Sequence, residues 1–102
     1  TRRRNTTREG HGFNALQIMA VWNKGRSVAG YNPNEYRKDA CGVWMKRSEY
    51  GQTTQYGWEI DHVVPVVRGG SDDLSNLQPL HWENNRHKSD SWPHWSCAIT
   101  GA

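Results

Sequence analysis

The stretch that most constrains this chain runs from Gly57 to Asp90. It opens with Trp58-Glu59-Ile60-Asp61-His62-Val63-Val64, where β-favouring apolar residues are interleaved with two acids, and Pro65 stops the run because proline offers no N–H to a ladder. Val66 to Asp73 follows as a loop carrying Gly69-Gly70, a pair that permits a turn at positive φ. A brief extended piece, Leu77 to Leu80, comes after Asn76. His81 to Ser89 is then dense in helix-compatible polar residues, with Glu83 in the first turn, where the helix dipole favours an acid. Strand, long loop, short strand, helix: the segment predicts a ββα unit inside an α+β fold.

The rest of the chain supplies a scaffold for that unit. Phe13 to Lys24 places Leu16, Met19, Ala20 and Trp22 near helical spacing, with Asn14 as cap and Gly25 as terminator. Tyr31-Asn32-Pro33-Asn34 is turn chemistry leading into a helical turn over Glu35 to Lys38, Val43 to Arg47 reads as a strand, and Gly51 to Gly57 as a polar connection. Apolar residues are 34% of the 102, low for a globular chain, but six Trp, four Tyr and one Phe compensate. Each aromatic buries about 150–250 Å². A small aromatic-rich core anchored by Trp22, Trp44 and Trp58 is expected, with the tail Trp92-Pro93-His94-Trp95 packed back on the body. Cys41 and Cys97 form no CxxC pair, which excludes a four-cysteine zinc knuckle. Reduced thiols are the expected state, with a disulfide as the alternative.

Charge is unevenly spread. Residues 1–8 hold four Arg (Arg2, Arg3, Arg4, Arg8) and no acid, whereas the remainder holds nine basic and ten acidic residues. Residues 1–12 therefore read as a basic flexible arm on a near-neutral body of residues 13–102. Such an arm either attracts a polyanion in a salt-dependent way or is a solvated tail. No apolar run approaches the ~18 residues of a membrane span, and no stretch reads as a secretory signal, so a cytoplasmic protein is expected.

Asp61 and His62 carry the first chemical signal. On a regular strand they point to opposite faces, but at a strand end before Pro65 the backbone can bring both to one site. A carboxylate beside an imidazole supplies two roles of phosphodiester hydrolysis: a ligand for a hard cation, and an acceptor for the proton of water. In isolation such a pair is an ordinary surface pair.

The whole segment, however, resembles the HNH endonuclease family. The resemblance rests on Trp58 to Pro65, then Gly69-Gly70, then Asn76-Leu77, then Glu83-Asn84-Asn85-Arg86-His87-Lys88-Ser89-Asp90, about a third of the chain. The closing Asn-Asn-Arg-His-Lys-Ser-Asp is similar to the family variant in which Asn replaces the last His. The resemblance implies a ββα-metal core, with His62 as general base and Asp61 as a metal ligand. It further implies Asn76 as the residue that braces the loop and orients the base, and Asn85 as the second metal ligand. Departures are the missing zinc-binding Cys pairs, Ser89 where some relatives have a further His ligand, and His81 where a Cys is common.

Independently of the resemblance, a carboxylate and an amide oxygen suit one hard, partly hydrated ion, Mg²⁺ or Mn²⁺, better than zinc. A neutral imidazole, the dominant form above about pH 7, can accept the proton of an attacking water. Arg86 and Lys88 are candidate phosphate contacts beside the motif, and His81, four residues before Asn85, is a candidate contact to metal or phosphate or else a helix-start residue bonded to backbone. Trp82 and Arg86, at i and i+4, are placed to stack, and Glu59 shares Asp61's strand face either as a supporting acid or as a surface residue. His87, His11 and His94 are expected outside the chemistry. The expected function is a metal-dependent DNA endonuclease with one site per chain, nicking duplex DNA, as a monomer or weak homodimer, with RNA as a further possible substrate. The alternative is a non-catalytic nucleic-acid-binding module on the same fold.

Overall fold

In the computed structural model, which describes residues 2–101, the first helix starts where the sequence caps it. Helix α1 spans Ala15–Trp22. Asn14 Oδ1 accepts from the Gln17 N–H at 2.8 Å, and Gln17 Oε1 accepts from the Asn14 N–H at 2.9 Å, a reciprocal capping box. Its inner end buries Val21 and Trp22, and Trp22 packs on Trp58 with ring centroids 5.2 Å apart. Phe13, Met45, Ile60 and Leu77 complete this core. Both buried indoles keep a hydrogen-bond partner: Trp22 Nε1 donates to the Pro33 carbonyl and Trp58 Nε1 to that of Arg47. Trp44, expected as a third anchor, is instead half-buried, packed at a tilt on Tyr31 with ring centroids 4.6 Å apart and the Lys38 ammonium over its ring.

Two antiparallel hairpins follow. Strands β1 (Tyr36–Lys38) and β2 (Trp44–Lys46) pair with Tyr36 opposite Lys46 and Lys38 opposite Trp44. The helical turn expected over Glu35 to Lys38 is therefore corrected to a strand. A helix-like turn does close on the Asn32 carbonyl, but Lys38 exchanges two backbone hydrogen bonds with Arg26, and that ladder overrides the local preference. Strands β3 (Trp58–His62) and β4 (Leu77–His81) pair from Trp58 opposite His81 to His62 opposite Leu77. Pro79 sits opposite Ile60, whose N–H points away from β4 to Asn5 Oδ1 at 2.8 Å, so the missing proline donor costs no ladder bond. Helix α2 (Trp82–Lys88) follows β4 directly and packs across both strands. This is the expected ββα unit in a small α+β fold that, among the described residues, has two α-helices and two two-stranded sheets.

The loop between β3 and β4 is tightly fixed. Gly69 adopts φ +90°, closing a 3-10 turn over Val66–Arg68, and a Cβ on Gly70 would overlap the carbonyl oxygen of Val64. The asparagine expected to brace this loop does so: Asn76 accepts from the Val64 N–H at 2.8 Å and donates to the carbonyls of Val64 and Ser71.

The ends of the chain bear on two further expectations. Apart from Thr1, which lies outside the described residues, the segment expected as a basic flexible arm makes defined contacts with itself and with β3. Thr6 bridges Gly12, Arg2 donates to the carbonyls of its own turn, and Asn5 docks on the outer edge of β3. The unpaired Ile60 N–H is the anchor that composition could not reveal. The cysteines, expected as reduced thiols, form a Cys41–Cys97 disulfide with Cα atoms 6.0 Å apart. It ties the C-terminal tail to the β1–β2 turn, where Gly101 N–H also reaches the Cys41 carbonyl. In that tail Trp95 is half-buried while Trp92 stays exposed; Ala102 lies outside the described residues.

Candidate active site

Asp61 is the penultimate residue of β3 and is buried. Its cross-strand partner Gln78 donates Nε2 to Oδ2 at 2.9 Å, and the ammonium of Lys88, from the last turn of α2, lies 3.2 Å from Oδ1. Burial pushes the Asp61 carboxyl above its ordinary value, and Gln78, Lys88 and His62 only partly offset this. The group therefore favours added positive charge.

His62 ends the strand with its ring beside Phe13, centroids 6.1 Å apart. Its Nε2 lies 2.8 Å from Asp72 Oδ1. Asp72 comes from the long loop and also accepts the Arg8 backbone N–H on both oxygens, at 3.1 and 3.2 Å. Desolvation works to raise the Asp72 carboxyl, but His62 and Arg8 together hold it below the ordinary carboxylate range.

Asn85 projects from α2. Its Nδ2 donates to Glu59 Oε1 at 2.8 Å, which commits the amide nitrogen and leaves Oδ1 as the acceptor without a protein donor among the described residues. Glu59 is buried on β3, which removes the reading of it as a surface residue. It also accepts from Arg86 Nη2 at 3.1 Å and faces Arg4 Nε at 3.9 Å. Arg86 lies over the Trp82 ring, 5.2 Å from its centroid, as the i, i+4 spacing suggested.

Two expected substrate contacts are corrected here. Lys88 is fully buried, its ammonium held by Asp61 and, at 3.1 Å, by the His62 carbonyl, so it neutralises the carboxylate instead of meeting a phosphate. His81 is also buried. One ring nitrogen accepts the Glu83 N–H as the cap of α2, and Nε2 meets the Gln55 carbonyl at 2.9 Å. Its place before a helix and after a buried strand leaves no path to solvent. Asn76 reaches Val64 and Ser71 but not the His62 ring; any influence on the base passes through the loop that carries Asp72.

Asp61, His62 and Asn85 open onto one cleft of about 320 Å³, and Arg2, Arg3, Arg4 and Arg86 line it with them. The donor chemistry fits a hard divalent cation: one buried carboxylate with lone pairs left beyond Lys88 and Gln78, one amide oxygen free of donors, and room for water. Among the described residues no group of three His, Cys, Asp or Glu converges as a zinc site would need.

The family model for HNH endonucleases matches residues 45–91. Through this segment the chain is similar to the HNH endonuclease family. Searches of curated proteins and of solved structures returned no significant match. The HNH match runs from within β2 through α2 and supports a nuclease-type function on nucleic acid; members of the family typically use a divalent metal. Arg2 to Arg4 and Asp72 lie differently with respect to the motif: the arginines fall outside the matched segment, and Asp72 falls inside it. Sequence reasoning missed Asp72 as a partner of His62. The one available signal, an acid after Gly69-Gly70, has no periodicity tying it to a histidine ten residues earlier.

Proposed function

We propose that the protein is a metal-dependent DNA endonuclease that hydrolyses one phosphodiester at a time. The observation that carries this reading is the convergence of Asp61, His62 and Asn85 on a single cleft walled by arginines. Phosphodiester hydrolysis needs a proton acceptor for water and positive charge around the phosphate. Arg2, Arg3, Arg4 and Arg86 draw the nucleic-acid backbone to the cleft through charge, without reading bases. His62 takes the proton from the attacking water. Lys88 keeps the buried Asp61 carboxylate compensated, and Glu59 turns the Asn85 amide so that its oxygen is the free end. One divalent cation, Mg²⁺ or Mn²⁺, would be held by Asp61 and Asn85, and when bound it supplies charge against the phosphate and the departing oxygen. One base and one phosphate make one cut, so a monomer nicks a duplex and leaves 5′-phosphate and 3′-hydroxyl ends.

No helix of the described residues is long and apolar enough to cross a membrane. The Cys41–Cys97 bond favours an oxidising compartment over the cytoplasm that the sequence suggested.

Supercoiled plasmid incubated with Mg²⁺ or Mn²⁺ tests the activity. Relaxed circle should accumulate with wild type and disappear with EDTA or with His62→Ala. Equal relaxed circle from wild type and His62→Ala overturns the reading, and salt-sensitive binding without cleavage would leave a binding module. A labelled RNA of matched sequence run in parallel separates DNA from RNA preference. Replacing Arg2, Arg3 and Arg4 with Gln should raise KM and flatten the salt dependence by up to about three in the log–log slope.

A further inference from the structure

The His62 ring is held by a group that belongs to no part of the cation site. Asp72 sits in the long loop, ten residues downstream, and meets His62 Nε2 at 2.8 Å. A carboxylate only accepts, so the shared proton is on Nε2, which leaves Nδ1 with the lone pair when the ring is neutral. Asp72 is itself fixed from two sides. The backbone N–H of Arg8 chelates both its oxygens, and Asn76 pins the carbonyl of the preceding residue, Ser71, at 2.8 Å. Phe13 stands beside the imidazole ring. A ring with one edge bonded and one face packed has little freedom to turn.

Resting on the nuclease reading above, we propose that Asp72 is a positioning residue. It sets the orientation and the Nε2–H tautomer of His62, and the N-terminal basic segment locks it through the Arg8 amide. The segment that carries Arg2 to Arg4 to the cleft thus also aligns the proton acceptor, so substrate attraction and base alignment share one structural element. This gives the folded arm a purpose that its charge alone does not: its backbone, not only its guanidinium groups, belongs to the site. The residue does not touch substrate, and its effect passes wholly through the imidazole.

The test pairs kinetics with a measurement that needs no turnover. In metal-free wild-type protein, long-range ¹H–¹⁵N correlation at a pH where imidazole is neutral should show His62 as a single Nε2–H tautomer. Asp72→Ala should yield a mixture of tautomers. In nicking assays Asp72→Ala should lower kcat by about 10- to 100-fold, the range for loss of a group that orients a functional histidine, with KM within about twofold. Asp72→Glu, which keeps a carboxylate, should recover part of kcat. Unchanged kcat in Asp72→Ala, an Nδ1–H tautomer in wild type, or a KM effect alone would overturn the proposal. Were wild type to cut nothing, the nuclease reading would fail, and the ring-nitrogen spectra would still decide the tautomer. A far-ultraviolet spectrum for Asp72→Ala like that of wild type is expected, with a small fall in melting temperature from the lost His62 and Arg8 contacts.

Discussion

The two hairpins of this protein are held by different forces. In β3–β4, four of the five β3 residues are buried, and two of those four are the acids Glu59 and Asp61. Their charges are met by partners that arrive from α2 and the N-terminal segment: Lys88, Arg86 and Arg4. In β1–β2 only Met45 is buried, as part of the central core; Tyr31 and Tyr36 pack on the half-buried Trp44, and a disulfide fastens the adjoining turn. One hairpin tolerates buried charge because each acid meets cationic and hydrogen-bonding partners there. The other supplies covalent and aromatic anchoring that a chain of this size needs when apolar burial is limited. Asp39 links the two. Its carboxylate, at the end of β1, accepts from the N–H groups of Cys41, Val43 and His81 and from the Asn84 side chain on α2.

That contrast can be broken most forcefully at Lys88. Among the described residues Lys88 is the one cationic Lys or Arg within 4.0 Å of the buried Asp61 carboxylate, so Lys88→Met should cost about 3–5 kcal/mol, read from the midpoint of urea unfolding. Loss well under 1 kcal/mol would mean that Asp61 is compensated elsewhere. Removing the anchor of the other hairpin sharpens the comparison. Cys41→Ser with Cys97→Ser should lower stability by about 2–4 kcal/mol, and nicking well below the melting temperature should persist. Equal loss of both would show that the disulfide shapes the cleft itself. A thiol titration of unreduced native protein should find no free thiol.

A smaller loss is expected at the loop that joins the strands. Gly70→Ala forces a methyl group onto the Val64 carbonyl and should cost about 1–3 kcal/mol, with a fall in kcat because Ser71 and Asp72 follow directly. The smallest effect is acid dependence. The folded-state Asp72 carboxyl lies below its unfolded value, so its contribution is present above the unfolded value near pH ~4 and is lost as pH falls through the folded one. Asp61 has the opposite sign: its raised folded-state value means that ionisation costs stability, a cost relieved on acidification or by a bound cation. Asp72→Asn should therefore flatten the loss of stability below about pH 4, and Mn²⁺ should raise the melting temperature of wild type but not of Asp61→Ala.

The ββα order, the Asn14 cap and the β2 strand were legible because each rests on local chemistry, whereas the bracing role of Asn76 came from the family resemblance alone. Alternation, a capping side chain and a Gly-Gly turn act within a few residues. The helical turn expected at Glu35 to Lys38 failed because Arg26 captures Lys38 as a strand partner, a contact no window contains. Lys88 misled for a related reason. A lysine in a helix's last turn looks like a solvated charge until the strand beneath it places a buried acid in reach.

By itself the amino-acid order determined the succession strand, loop, strand, helix and the residue types available for hydrolysis, because propensity and turn chemistry act between near neighbours in the chain. Tertiary structure decided which of those residues face the cleft, that Asp72 rather than Asn76 meets the imidazole, and that the arginine-bearing start of the chain folds over the site. It also decided that the two cysteines join. Each of these depends on hydrogen-bond and covalent partners far apart in sequence, whose meeting is fixed only when burial forces every polar group to find one.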